Sequence, residues 1–490
     1  MRPLARIGIG VIGTLGVLAA VIAVRTATYH APLAFDPAQV PSAPTVPLDL
    51  DRAAQHLAAA VRIRTVSHQD ADDNDWREWE RLRTWLAETY PAVHARMSRE
   101  LVAGHTLVYT WPGSDPARKP IVLMAHHDVV PVAPGTEADW RHPPFDGVVA
   151  GDAIWGRGAV DNKSSLVALF EALEALAASG FVPAANVIFV SGHDEEAGGS
   201  GAAAAAALLK ERGVDAEFVL DEGLAVVADF PLLGRPVALV GIAEKGYGTI
   251  AVTAPAKGGH SSAPPPETGV EVLAKAVLAI TSQPFAMRFA GPAADMVRAL
   301  ATDASPLVKM AVANEWLFAP LLVKKIAATP AGAASLHTTI APTMLRGSPK
   351  ENVLPQDATA WINYRIAPGQ TSDDVMQRAL AATSGLDVTL RWVQPPHEPP
   401  PVSSTTSRGW QVIAAAAAAG GDWPVAPGLV TATTDSRSMT GVSRDLYRFQ
   451  ALVASIREFE MIHGTNERLT FDNLRRMTDF YSRLIAAAAG

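Results

Sequence analysis

The sequence predicts an α/β protein: a mixed, mostly parallel sheet sandwiched by helices, with a smaller α+β domain inserted into it. Three observations lead there. From about Leu48 to Gly246, short apolar runs alternate with helical stretches, the pattern of a layered sheet. The run Ile121–Ala125 is apolar throughout, as a strand buried on both faces is. After Gly246 the pattern changes. Ala360, Ile362, Tyr364 and Ile366 share one face of a cleanly alternating segment, and Trp361, Asn363 and Arg365 the other, which marks a strand of a different sheet.

Taken in order, residues 51–62 and 76–90 read as helices and Ile121–Ala125 as the first buried strand. Ser164–Ser179 carries Leu166, Leu169, Phe170, Leu173 and Leu176 at the spacing of one helix face. Val187–Val190 and Phe218–Leu220 are the next strands, Thr249–Thr253 a strand and Glu267–Ser282 a helix of the inserted domain. The proline-rich stretch 395–401 is a stiff return linker. Helices near 407–419 and 470–488 complete the first sheet. The expected boundaries are 1–25 for an N-terminal signal anchor or signal peptide and 26–47 for a Pro-rich spacer. The main domain spans 48–246 and 395–490, and the insert 247–394.

Bulk composition narrows the function. The chain has 490 residues, 49% of them hydrophobic and 18% charged, so it is globular. A net charge of -8 argues against nucleic acid as a partner. With no cysteine, any metal must be held by His, Asp or Glu. Arg2 and Arg6 precede an uncharged stretch from Ile7 to Val24, closed by Arg25. Its length suits an uncleaved signal anchor better than a cleaved peptide. The basic flank keeps the N-terminus inside and puts the body outside the cytoplasm, membrane-anchored, or secreted if the segment is cleaved.

Chemistry concentrates where apolar runs end. His126-His127-Asp128, Asp161, Asp194-Glu195-Glu196 and Asp221-Glu222 all sit there, and Ile462-His463-Gly464 lies near the C-terminus. In layered sheets ligands bind beyond the carboxyl ends of the strands. Imidazoles and carboxylates are the donors a zinc site needs. His126 is a candidate ligand, with Asp128 fixing its ring; an ordinary turn would also hold two such residues. Asp161 reads equally as a ligand or a helix cap. Three successive acids repel one another unless a cation or a proton intervenes. One of them can bind metal while its neighbour acts as general base.

Together these segments are identified with a family. His126-His127-Asp128-Val129-Val130-Pro131, Gly156-Arg157-Gly158-Ala159-Val160-Asp161, His193-Asp194-Glu195-Glu196, Asp221-Glu222-Gly223, Gly259-His260-Ser261-Ser262-Ala263-Pro264-Pro265, Asn352-Val353-Leu354-Pro355 and Ile462-His463-Gly464 resemble the co-catalytic zinc metallopeptidases. That family includes carboxypeptidase S, aminoacylase and glutamate carboxypeptidase. The match is nearest the carboxypeptidase S branch, with the secreted N-fatty-acyl-amino-acid synthase/hydrolases.

The resemblance implies a zinc-exopeptidase-like catalytic domain and an inserted lid or dimerisation domain. It implies two zinc ions per active site, replaceable by cobalt or manganese. They would be held by His126, Asp161, Glu196, Asp221 and His463, with Asp161 as the bridge and the choice between Asp221 and Glu222 open. Asp128 would orient His126. Glu195 would be the general base, and His260 would stabilise the oxyanion, from the second subunit in a homodimer. Asn352 and Arg365 would meet the substrate. That substrate would be a small peptide or N-acyl amino acid cut next to its free carboxylate. Alternatives are synthesis or hydrolysis of N-fatty-acyl amino acids, or a non-catalytic binding protein. The apolar stretch 285–335 (Trp316, Leu317, Phe318, Leu321, Leu322) would line an acyl groove, pack a dimer surface or fill core.

Overall fold

The structure is a computed structural model that describes residues 3–31, 43 and 45–490, with backbone only for 3–12. The helices are α1 (Pro3–Ala27), α2 (Leu50–Val61), α3 (Trp76–Thr89), α4 (Pro91–Arg96), α5 (Lys163–Ala178), α6 (Ser200–Glu211), α7 (Gly269–Thr281), α8 (Gly291–Leu300), α9 (Pro306–Ala313), α10 (Glu315–Ile326), α11 (Pro330–Ser335), α12 (Ser372–Ala382), α13 (Arg408–Ala418) and α14 (Phe471–Ala489). The first nine strands are β1 (Ser98–Val102), β2 (Thr106–Trp111), β3 (Ile121–His126), β4 (Val148–Ala150), β5 (Ala153–Trp155), β6 (Val187–Gly192), β7 (Phe218–Asp221), β8 (Val226–Phe230) and β9 (Arg235–Glu244). The rest are β10 (Gly246–Pro255), β11 (Gly259–His260), β12 (Thr339–Arg346), β13 (Val353–Leu354), β14 (Asp357–Ile366), β15 (Thr389–Trp392), β16 (Val425–Val430), β17 (Leu446–Arg448), β18 (Val453–Ala454) and β19 (Arg468–Thr470).

Ten strands form the large sheet, in the order β1-β2-β6-β3-β7-β17-β9-β8-β18 with β16 added to β9. Its centre, β6-β3-β7-β17, is parallel, and antiparallel pairs flank it. This is the mixed sheet with a parallel middle that the apolar runs predict. The pleat splits each central strand between two cores. Ile121, Leu123, Val187 and Phe189 pack with α2, α5, α13 and α14, whereas Val122, Met124, Ile188 and Val190 pack with α6. Helix α5 is buried almost all round, so it is apolar beyond the single face read from the sequence. Because β3, β6 and β7 run parallel, their carboxyl ends share one edge, and the functional side chains gather there.

A second, four-stranded antiparallel sheet has the order β12-β14-β10-β15. Ile250, Val252, Ala360, Ile362 and Tyr364 face α7 and α12 in its core. Helix starts are locally satisfied: Thr268 with Glu271 and Thr371 with Asp374 form reciprocal caps. Strands β9 and β10 are separated only by Lys245, so that residue joins the two sheets.

The stretch 285–335 does not act as one apolar unit: Leu322 is buried and Phe318 half-buried, while Trp316, Leu317 and Leu321 are exposed. Among the described residues, no helix is long and apolar enough to cross a membrane. The side chains before Gly13 and most of the proline-rich 31–47 stretch lie outside the described residues.

Candidate metal centre

His126 closes β3 and is buried. Its Nδ1 lies 3.1 Å from the Asp128 carbonyl and 3.3 Å from the Asp128 carboxylate. Its Nε2 points out of the sheet edge, 2.9 Å from Asp161 Oδ1 and 3.1 Å from Glu222 Oε1. Asp161 then turns its other oxygen to a second imidazole, with Oδ2 3.1 Å from His463 Nε2. That same nitrogen is 3.1 Å from Glu196 Oε1. One carboxylate thus faces both histidines, and each histidine nitrogen faces two carboxylates. Donor atoms of His126, Asp161 and Glu196 lie within 4.8 Å of one another, as do those of His126, Glu195 and Glu222.

A dense framework fixes these side chains. Asp128 is buried; it accepts the backbone N–H groups of Glu195 and Glu196 at 3.1 Å each and the Ser67 hydroxyl. Asp194, first of the three acids, instead caps α6 by accepting the amides of Ser200 and Gly201 at 2.9 Å. Glu467 ties the Asp161 loop to the His463 loop. It accepts from Arg157 at 2.7 Å and from the amides of Val160 and Asp161 at 2.8 and 3.0 Å. Arg157 also donates to the His463 and Gly464 carbonyls at 3.2 and 2.9 Å. Gln450 donates to Asn162 at 3.0 Å and to Glu222 at 3.4 Å.

The charges conflict unless something positive sits among them. Burial opposes charge on His126, but the Glu222, Asp128 and Asp161 carboxylates outweigh it and hold its pKa well above the usual value. Hydrogen bonds donated to the Asp161 and Glu196 carboxylates raise His463 to about 10. Burial, then the Asp161 charge, raises Glu222 to about 8. Burial pushes Glu195 well up, aided by the Asp435, Glu222 and Glu196 charges. A single Nε2 carries one proton or one lone pair, so neither histidine can satisfy two carboxylates alone. Divalent cations resolve that mismatch, and the donor set of imidazoles and carboxylates fits zinc.

The structure therefore brings together His126, Asp128, Asp161, Glu195, Glu196 and His463. It does not bring Asp221. Its Oδ1 accepts the Glu222 amide at 2.9 Å and its Oδ2 the Ser436 amide at 2.8 Å. Glu222, the first residue after β7, is the one facing His126. His260, Asn352 and Arg365 have no hydrogen bond or ion pair to the cluster among the described residues. His260 is exposed on the β11–β13 ribbon, its Nδ1 2.7 Å from the Ser262 hydroxyl. Asn352, next to β13, keeps a buried Oδ1 with no partner. Arg365 lies over the Tyr247 ring at 4.8 Å.

Sequence reading missed Glu467, Gln450 and Asp435. Asp435 is buried against Gly192 and Gly199, and among the described residues neither of its oxygens has a hydrogen-bond partner. The strand-end signal that found the other acids is weak here, because Pro427 and Gly428 interrupt β16 and Asp435 lies beyond its end at Val430. Glu467 follows His463 in a turn with no periodicity.

The profile of peptidase family M20/M25/M40 matches residues 122–487. A probable carboxypeptidase S-like protein of Dictyostelium discoideum is 35% identical over 445 residues, covering 88% of this chain and 84% of that protein. The mouse N-fatty-acyl-amino acid synthase/hydrolase is 33% identical over 441 residues, covering 88% and 87%. An M20 family metallo-carboxypeptidase of Sulfolobus solfataricus superposes with a TM-score of 0.63 at 17% identity, over 89% of this chain and 99% of that one.

Proposed function

The chain belongs to peptidase family M20/M25/M40, and from that membership we propose that it is a dizinc hydrolase. It cleaves an amide bond next to a free carboxylate, in small peptides or N-acyl amino acids. The observation that carries this reading is Asp161, whose two oxygens face two different histidines at 2.9 and 3.1 Å. A carboxylate placed between two imidazoles in this way would be available to both ions.

His126, Asp161 and Glu222 would hold one ion, and Asp161, Glu196 and His463 the other. Glu222 replaces Asp221 in this assignment, because Asp221 spends both oxygens on backbone amides. Zinc is the metal; the same donors accept cobalt or manganese. Bound there, a pair of ions supplies Lewis acidity to the scissile carbonyl and acidifies a water. The chain's own residues do the rest. Asp128 fixes the His126 ring and, through two amides, the turn that carries Glu195 and Glu196. Glu195 takes a proton from the attacking water on its carboxylate and returns it to the leaving amine nitrogen. Its burial favours the protonated form it must reach in mid-reaction.

His260, Asn352 and Arg365 complete the reaction from the insert of residues 247–394, which serves as lid and dimerisation element. His260 steadies the oxyanion, across the interface in a homodimer, and Asn352 and Arg365 receive the substrate carboxylate. The N-terminal helix tethers or exports the chain, so the body works outside the cytoplasm. A second reading, synthesis and hydrolysis of N-fatty-acyl amino acids, is favoured by the 33% identity to the mouse enzyme of that name.

Purified protein of measured metal content, screened on dipeptides and on N-acyl amino acids of increasing chain length, tests both readings. Release of free amino acid that stops on chelation is expected. A zinc-loaded chain that releases nothing across the panel would contradict them.

A further inference from the structure

Helix α1 is apolar, and from Gly13 onward its described side chains are largely exposed. Leu15, Val17, Val21 and Val24 are 58%, 66%, 41% and 61% exposed, on a helix with no charged residue between Ile7 and Val24. Its base is held. Arg25 donates to the Ala313 carbonyl at 3.0 Å, and buried Asn314 donates to the Ile22 carbonyl and the Thr26 hydroxyl at 3.4 and 3.2 Å. Tyr29, just past the helix, donates to the Arg298 carbonyl at 2.9 Å. The apolar post is therefore fixed to the α8–α10 helices rather than hung on a loose linker.

Helix α10 adds a second apolar surface beside that base. Its outward stripe reads Trp316, Leu317, Pro320 and Leu321, then Lys324 and Lys325, positions that recur on one helical face. Trp316 is 56% and Leu321 48% exposed, and Leu307 at the start of α9 is 72% exposed. Neither lysine has an ion pair among the described residues. Beneath the stripe, Leu322 and Val312 are buried, with Phe318 and Tyr29 packed against the same cluster. An indole and leucines on one side, closed by lysines at the end, are what a helix lying in a bilayer interface presents.

We propose that the outward face of α10, with the start of α9, rests on an anionic bilayer surface and seats the catalytic body on it. The free lysines supply charge complementarity to acidic lipid headgroups. The proposal is independent of the hydrolase reading. It uses the tether reading of α1 only for the direction in which the membrane lies.

Because the chain has no cysteine, one can be introduced into the full-length protein and labelled. L317C carries an environment-sensitive fluorophore, and V182C, 65% exposed on the loop after α5, is the control. Vesicles of phosphatidylcholine and phosphatidylserine carry nitroxide-bearing lipid. The expected result is that vesicles protect the L317C label from aqueous iodide and expose it to the lipid nitroxide, and leave the V182C label unchanged. K324E/K325E is expected to return the L317C label of the vesicle-bound chain to iodide access and withdraw it from the lipid nitroxide. A chain held by vesicles with its L317C label still aqueous overturns the α10 face while sparing the tether. A chain that does not bind vesicles overturns both. Protection of L317C without vesicles means a second copy covers the face, and also overturns the proposal.

Discussion

The two sheets treat their functional residues in opposite ways. At the edge of the large sheet, His126 and Asp128 are 2% and 0% exposed, and each is held by at least two polar contacts. On the small-sheet side, His260 is exposed, Asn352 leaves a buried oxygen unpartnered, and Arg365 rests on one ring. The first group is organised before anything binds; the second is left open, and the proposed function has it completed by substrate, closure or another subunit. This teaches where the cost of assembly lies. Caging like charges needs a rigid frame, built from Glu467, Arg157, Gln450 and backbone amides, because loosely held carboxylates would move apart. Recognising a substrate can wait for the substrate.

Substitutions on the two sides should therefore fail differently. The largest effect is expected from Glu195→Ala on the rigid side. Turnover should fall on the order of 10²–10⁴-fold, the usual worth of a positioned base, with zinc content unchanged by elemental analysis. Wild-type-like turnover would take the base assignment away. His260→Ala, on the open side, should lower kcat by about 10²–10³-fold, as loss of an oxyanion donor does, again with full metal. A variant that loses metal instead would place His260 in the rigid group and erase the contrast.

The pH dependence of metal uptake sharpens the comparison further. Without metal, His463 keeps its proton up to about pH 10 and Glu222 up to about pH 8. Raised pKa values mean that protons compete best at low pH, so affinity should climb as pH rises. Below about pH 8 the protons on His463, Glu222 and His126 must all leave, so binding tightens by more than about 100-fold per pH unit; above it the slope falls by one proton. Calorimetric titration with zinc at several pH values reads this directly, and a flat profile would contradict it.

The smallest expected effect separates two neighbours. Glu222→Gln should reduce zinc stoichiometry, while Asp221→Asn should keep it and cost about 1–3 kcal/mol of stability through its two amide partners. Metal analysis and thermal melts of the pair distinguish them.

Much of this was legible in the chain. Continuous apolar runs located β3, β6 and β7, because parallel central strands are buried on both faces. The acids at their ends marked the site for the same reason, since parallel strands must end on one edge. What stayed hidden has physical causes. Asp221 and Glu222 are adjacent at the end of a four-residue strand, too short for alternation to show which one faces the cluster. Glu467 and Gln450 act from turns, which carry no period. Strand β16 includes Pro427 and Gly428, weak strand formers that masked it and so concealed Asp435. The distance from His260 to the cluster depends on how two sheets meet at Lys245, and local sequence does not encode that.

The most direct test is a zinc-loaded crystal structure with anomalous scattering measured at the zinc edge. Two peaks are predicted, one bounded by His126, Asp161 and Glu222 and the other by Asp161, Glu196 and His463, with Asp161 touching both. A lone peak, or a pair that leaves Asp161 uncoordinated, would contradict the shared-carboxylate account.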